Sequence, residues 1–568
     1  MTPNLRYPGR LNTMKAQGDG VGEEVFLACN ATCLDECLHE TSTIACHSNC
    51  IKLKPTGDAL FGLIRALASQ FNPPRAYDEV RKKWLSDKLA ANLKLPFFLP
   101  PELRIRTAQG LVQEYSTALT SSLPFTDEPL PYNVGVYEDI WATYVEIDGI
   151  KYVSALTSQR HSALSANAQL LPSSTEPVQR IHICEDHLGI RKLVFSATDE
   201  YPVADPIPGV WWKTMPVPTR RSGLVTRLRL DTDGMKGCTV TFIQGNHRQS
   251  SARPTSWPVP KMPQNLRWHQ PYEDHQLNPP AKMTSFRFSQ NNMTGFSACG
   301  FPQTMGIYAH TPDNDVEFYE ARPSFSVWLY TPLDADEFIS EIWARRNSNS
   351  TLLSNLAVKT NKGRVCYMGH HVPYLFVEGV SIWQLMDTSD GGHGQFYFDG
   401  PSSGFRRIAF GGDPPLQPGV GPSIPQPISE PPPGDRLLDF YSSAPLKDVT
   451  ELMPCRMEVR GAMHITGILL RYSNGHLERL GHVRPPCLEQ PLVVGDHSGF
   501  SLGFSHPKLK QPFVAAIALG GPLENGADEW LDLSWDGTLE WWFTAFQCDI
   551  QYKGKRFPAP LPGNDVIT

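Results

Sequence analysis

The feature that most constrains this chain is a pattern that recurs after residue 130: two alternating runs joined by an Asp-Gly or Asn-Gly pair. Trp141-Ala-Thr-Tyr-Val-Glu-Ile147 alternates, Asp148-Gly149 supplies two residues that tolerate positive φ, and Ile150-Lys-Tyr-Val-Ser154 returns. The same arrangement stands at Arg227 to Phe242 around Asp233-Gly234, at Leu470 to Leu477 around Asn474-Gly475, and at Leu533 to Trp541 around Asp536-Gly537. Such turns match the right-handed twist of paired strands. Residues 130 to 555 are therefore expected to be mostly antiparallel β.

Composition agrees. The 568 residues include 51 prolines and 44 glycines, and proline at about 9% is well above the usual 5% or so. Proline removes backbone donors and interrupts helices. An aromatic share of 10% can fill a core, which argues against global disorder. A net charge of −7 leaves no domain-wide basic excess, so nucleic acid is not an expected partner. Met1 to Gly20 is polar and is not read as a signal peptide, and nowhere do 18 apolar residues run together, so no membrane partner is expected either. The expected location is intracellular, cytoplasmic or nuclear, with reduced thiols.

The chain reads as five parts. Residues 1–57 are a Cys-rich, poorly ordered segment, and 58–130 form a helical region. Residues 131–410 are β-rich, 411–434 are a Pro/Gly-rich linker or loop, and 435–568 continue the β-rich part with a C-terminal tail. In the helical region Asp58 caps a helix through Phe71, and a second runs from Tyr77 to Leu93 with Val80/Trp84 and Leu85/Leu89 as i, i+4 pairs. The stretch from Gly411 to Gly434 is dominated by proline and glycine, with Pro414-Pro415 near its start and Pro431-Pro432-Pro433 at its end. No packed strand or helix can run through it; it reads as a spacer or long surface loop, or as a ligand for a proline-recognition domain. Thr239–Gly245, Thr284–Gln290, Leu356–Gly363 and Thr466–Gly475 share a strand-then-turn character at irregular spacing, which suggests at most a degenerate duplication. The fold class is α+β: a small helical N-terminal region, then a large antiparallel β half of β-prism or sandwich-like form.

Chemistry-bearing groups are few. Cys29, Cys33, Cys37, Cys46 and Cys50 cluster near the N-terminus, with His39 and His47 among them. Zinc takes four such ligands, but the loop between the pairs is shorter than in common zinc signatures. A zinc site, a stretch of reduced thiols and a truncated metal module all remain open; no other cofactor is expected. Gly499-Phe-Ser501-Leu-Gly503 matches the nucleophile-elbow pattern without the strand-to-helix context that chemistry needs. His370, His371 and His393 complete no ligand spacing, and Asp387, Asp390 and Asp399 read as turn carboxylates. There is neither a phosphate-binding glycine loop nor a dinucleotide fingerprint. A non-enzymatic recognition protein is the reading that follows, with a structural or interaction protein without a small ligand as an alternative.

Phe98-Leu99-Pro100-Pro101-Glu102-Leu103, with Ile105, Ala108, Leu111 and Val112 at helical spacing, resembles the opening of an F-box. That resemblance implies docking through Leu99, Pro100, Glu102, Leu103 and Leu111 onto the adaptor subunit of a cullin–RING ubiquitin ligase, with the β half holding a protein target. Ile339-Ser-Glu-Ile-Trp343 followed by Leu356-Ala-Val-Lys-Thr-Asn-Lys-Gly363 resembles the strand pairs of jacalin-related lectins, which implies a β-prism and carbohydrate as ligand. The order of the pieces, including Ile140–Tyr152, Glu185–Ile190 and Leu539–Phe543, is similar to a group of filamentous-fungal F-box-like proteins with a β-rich C-terminal half.

Overall fold

The structure is a computed structural model. It describes residues 11–15, 24–28, 44–47, 75–93, 99–122 and most of 132–558, but not segments such as 160–166, 270–280, 372–380 and 433–438. The chain divides into two compact units, Met1–Met262 and Pro263–Thr568.

In the segment 1–57, expected to be poorly ordered, the described strands Leu11–Lys15, Glu24–Ala28 and Ile44–His47 pair as an antiparallel meander. They are built on short runs such as Val25-Phe26-Leu27, which the cysteine pattern overshadows. The helix predicted from Asp58 lies outside the described residues. Then come α1 (Arg75–Asn92), α2 (Pro101–Gly110) and α3 (Val112–Ser122). Proline in the first turn of α2 suits the position, since its missing N–H would find no helical acceptor there.

Residues 132–248 form three antiparallel sheets, each centred on one strand. Ile140–Ile147 lies between Ile150–Thr157 and Asn167–Leu171. Arg180–Glu185 lies between Ile190–Ser196 and Trp211–Pro216. Thr226–Thr232 lies between Gly237–Gln244 and Tyr132–Gly135, so the first strand of the set completes the last sheet. All three sheets turn apolar side chains to one core, with Ile140, Ile181, Leu228 and Phe242 fully or almost fully buried. Alternation makes this work: in a pleated strand every second side chain shares a face.

The same strand order appears twice more. In the second set Gly295–Gly300 lies between Thr304–His310 and Val327–Pro332, and Ile339–Asn347 between Ser350–Thr360 and Ser381–Thr388. Gln395–Asp399 lies between Arg407–Gly411 and the set's early strand Thr284–Arg287. In the third, Val449–Val459 lies between Ala462–Tyr472 and Leu492–Val493, and Gly499–Ser505 between Phe513–Leu519 and Glu529–Ser534. Thr538–Phe543 then lies between Cys548–Tyr552 and the set's first strand Phe440–Pro445. The early strands that complete the last sheet of each set begin at Tyr132, Thr284 and Phe440, at nearly equal intervals along the chain. The chain thus carries three repeats of one topology, a regularity that the irregular spacing of similar segments concealed. The second and third repeats share a single apolar cluster running from Phe286 to Tyr552.

The proline-rich stretch belongs inside the second unit and is tied down along its length. Gln417 bonds the backbone of Leu385 through both its amide nitrogen (2.8 Å) and oxygen (3.0 Å), as a neighbouring strand would. Ile424 packs beside Trp343 and Trp383. Buried Glu540 accepts from the amides of Ile428 (2.9 Å) and Ser429 (3.3 Å), and Gln551 and Arg556 hold the Glu430 carbonyl. A segment that cannot form a ladder of its own is held by side chains of the sheets beneath it.

Candidate functional site

Within the second unit, the second and third repeats meet across a chain of ionised side chains, and a cleft opens beside it. Thr360-Asn361-Lys362-Gly363 makes the tight turn between Ser350–Thr360 and Val365–Met368, with Gly363 at φ 81°. Asn361 fixes this turn by accepting from the Phe338 amide at 2.9 Å and donating to the Asp336 carbonyl at 3.0 Å. The turn delivers Arg364, which grips Glu337 with Nε (3.0 Å) and Nη2 (2.7 Å). Its Nη1 lies 3.8 Å from Glu478 of the third repeat. His476, at the next hairpin turn, bridges Asp334 (2.9 Å) and Glu478 (3.3 Å), and Lys362 pairs with both Asp334 and Asp336. Four acidic and three basic side chains thus alternate across the junction.

The cleft has a volume of about 230 Å³ and is lined by Arg364, Cys366, Tyr367, Tyr441, Ser443 and Arg479, with Ile424 and Pro425 of the proline-rich strap as one wall. Tyr441 donates its hydroxyl to Glu540, and the Tyr367 hydroxyl accepts from Asn355 at 2.6 Å, so both rings are fixed. Burial pushes the Cys366 thiol up to about 11, against a smaller downward pull from Arg364, so it is a neutral, unreactive thiol at pH 7. Burial also lowers His371, followed by the charge of Arg345. Burial acts to lower Arg364 too, but Cys366, Glu337 and Glu478 outweigh it and hold the guanidinium charged. The arrangement offers fixed cations, a carboxylate and aromatic faces.

The residues singled out from sequence are distributed as follows. On α2 and just beyond it, Leu103 is 46% exposed and Ile105 and Leu111 are each 40% exposed, while Ala108 is buried. Pro100 and Glu102 are exposed and Leu99 is half-buried. Arg104 donates to the Ala90 carbonyl of α1, and Arg81 of α1 pairs with Asp148 at the first hairpin turn. Of the cysteine cluster, Cys46 falls on the strand Ile44–His47, while Cys29, Cys33, Cys37 and Cys50 lie outside the described residues. Among the described residues no group of three or more His, Cys, Asp or Glu side chains is placed to hold a metal.

Ser501 sits mid-strand, buried, and donates to Asp532 on the neighbouring strand at 2.6 Å, which is a cross-strand bond and not a strained elbow. His371 packs edge-on against Trp542. Asp387 is held near Arg267 at 3.4 Å, and its pKa is raised by burial; Asp390 and His393 lie outside the described residues. A hydroxyl–imidazole cluster that the sequence did not signal joins Ser297, His310 and Tyr319 at 2.6–3.1 Å. All three are buried, and burial lowers His310 to about 4, so this is a polar knot within the fold rather than a reactive centre.

Compared with models of known families and with curated proteins, the chain matches none.

Proposed function

We propose that this chain is a non-enzymatic recognition protein in which the helical segment docks onto the adaptor subunit of a cullin–RING ubiquitin ligase and the β repeats hold a protein target. The observation that supports docking is the exposure of Leu103, Ile105 and Leu111. A surface helix ordinarily turns its larger apolar residues to the core, so apolar side chains left in solvent on both sides of α2 and just past its end support a contact surface there. The polar side chain of Arg104 is turned inward instead. Co-purification from native host extract tests the reading: the chain is expected to bring down the adaptor. Recovery of the adaptor by other F-box proteins but not by this chain would reject it.

A second reading, carbohydrate recognition by β-prism repeats, is favoured by the strand order. A sandwich has two sheets facing across its core, whereas in the first repeat three sheets surround one core and the first strand completes the last sheet. That is the arrangement expected of a prism. A glycan array probed with the whole chain is expected to give saturable binding under this reading, and a blank array would reject it.

A further inference from the structure

We propose that the cleft between the second and third repeats binds a small organic anion, one carboxylate or phosphate on a ring-sized body, through the guanidinium of Arg479. The inference is independent of the docking helix and of the lectin reading.

Arg479 lies on the strand Leu477–Gly481 and lines the cleft. Its neighbours in the ionic chain each hold a carboxylate: Arg364 has Glu337, Lys362 has Asp334 and Asp336, and His476 has Asp334 and Glu478. Arg479 makes no ion pair among the described residues, and its one hydrogen bond runs from Nη1 to the Gly481 carbonyl at 2.7 Å. The Nε and Nη2 donors are left for whatever occupies the cleft. A desolvated cation is costly unless it is paired and hydrogen-bonded. Burial indeed lowers the pKa of Arg479, with Glu478 and Cys366 opposing. An anion entering the cleft would relieve that cost, and a planar fork of donors suits a carboxylate or a phosphate.

The walls narrow the choice. At about 230 Å³ the cleft is smaller than the roughly 300–1,000 Å³ typical of drug-sized ligands. The hydroxyls of Tyr367 and Tyr441 are already engaged by Asn355 and Glu540, which leaves their rings, with Ile424 and Pro425, as an apolar surround for a ring. Glu478 also lines the cleft. It can accept from ligand hydroxyls but repels a second acidic group, so the ligand carries one.

Calorimetric titration of the full chain with D-glucuronate, D-glucose 6-phosphate, D-glucose and inorganic phosphate tests this. At least one of the two sugar anions is expected to bind saturably with a dissociation constant between about 1 μM and 1 mM. Which of them binds distinguishes a carboxylate from a phosphate ligand. Arg479→Gln is expected to weaken that binding about tenfold or more, without lowering the melting temperature, because it removes a desolvated cation that makes no close ion pair among the described residues. Arg479→Lys keeps the charge but loses the fork, and is expected to bind more weakly than wild type. Absence of binding by both sugar anions, equal binding of glucose or bare phosphate, or unchanged affinity in either variant would overturn the proposal.

Discussion

Arg364 holds Glu337 of its own repeat through two hydrogen bonds and reaches Glu478 of the next repeat at 3.8 Å. The Glu337 side chain is 1% exposed, so Arg364 replaces the water that it lacks. Removing one member of such a pair leaves the other buried and uncompensated. Arg364→Met is expected to cost about 3 kcal/mol in denaturant unfolding of the second unit. The double variant Glu337→Leu/Arg364→Met should recover much of that loss. A single variant as stable as wild type would show that the pair does not hold the repeats.

Two histidines give the second unit opposite pH dependences. His310 is buried and its pKa lies at about 4 against an ordinary 6.5. The unfolded chain therefore binds a proton that the folded one refuses, and stability falls as pH drops from about 6.5 towards 4. His476 is raised, first by its bond to Glu478 and also by Asp334. Its contribution is present below pH 6.5 and is lost as pH rises through the elevated folded value. Melting temperatures of His310→Gln and His476→Gln, compared with wild type across pH 4.5 to 8.5, should flatten the acid and alkaline limbs respectively.

Glu540 anchors the proline-rich strap through the Ile428 and Ser429 amides while also accepting from the Tyr441 hydroxyl of the neighbouring strand. Glu540→Ala leaves those donors without their acceptor. The strap should then be cut by a broad-specificity protease within 411–434 well before the sheets, whereas in wild type the two should be lost together. Equal resistance in the variant would mean that the remaining contacts suffice.

Gly149 at φ 85° lies against the indole of Trp84, where an added Cβ would come within 2.5 Å of the ring. This contact and the Arg81–Asp148 pair seat α1 on the first repeat. Gly149→Ala combines a left-handed backbone with a clash and is expected to destabilise the first unit by about 2–3 kcal/mol. Circular dichroism during thermal unfolding would show this as an earlier first transition.

The turn at Asp148-Gly149 also marks what could be read from the sequence. It, Asp233-Gly234 and Asn474-Gly475 each join paired strands, because positive φ is a local demand that particular residues meet; Asp536-Gly537, expected to do the same, instead links strands of two different sheets. The helix predicted over Tyr77 to Leu93 is Arg75–Asn92, written in its own apolar spacing. Pairings such as Phe440–Pro445 with Thr538–Phe543 join strands far apart in the chain and leave no local trace. For that reason the threefold repetition was seen only as scattered likenesses. The cleft was illegible for the same reason: Arg364, Tyr441 and Arg479 are neighbours only because two repeats pack together. Among its described residues after Gly411 the proline-rich strap holds no strand or helix, as its prolines imply, but its anchors, Gln417 and Glu540, are ordinary polar residues whose roles depend on the sheets they meet.

The proposed docking surface is made of the exposed side chains of Leu103, Ile105 and Leu111. Titration of the purified ligase adaptor into the purified chain tests it directly. Wild type is expected to bind with a dissociation constant of about 1 μM or tighter, and Leu103→Asp/Leu111→Asp to abolish binding while leaving the melting temperature unchanged. No binding by a folded wild-type chain, under conditions where another F-box protein binds, would contradict it.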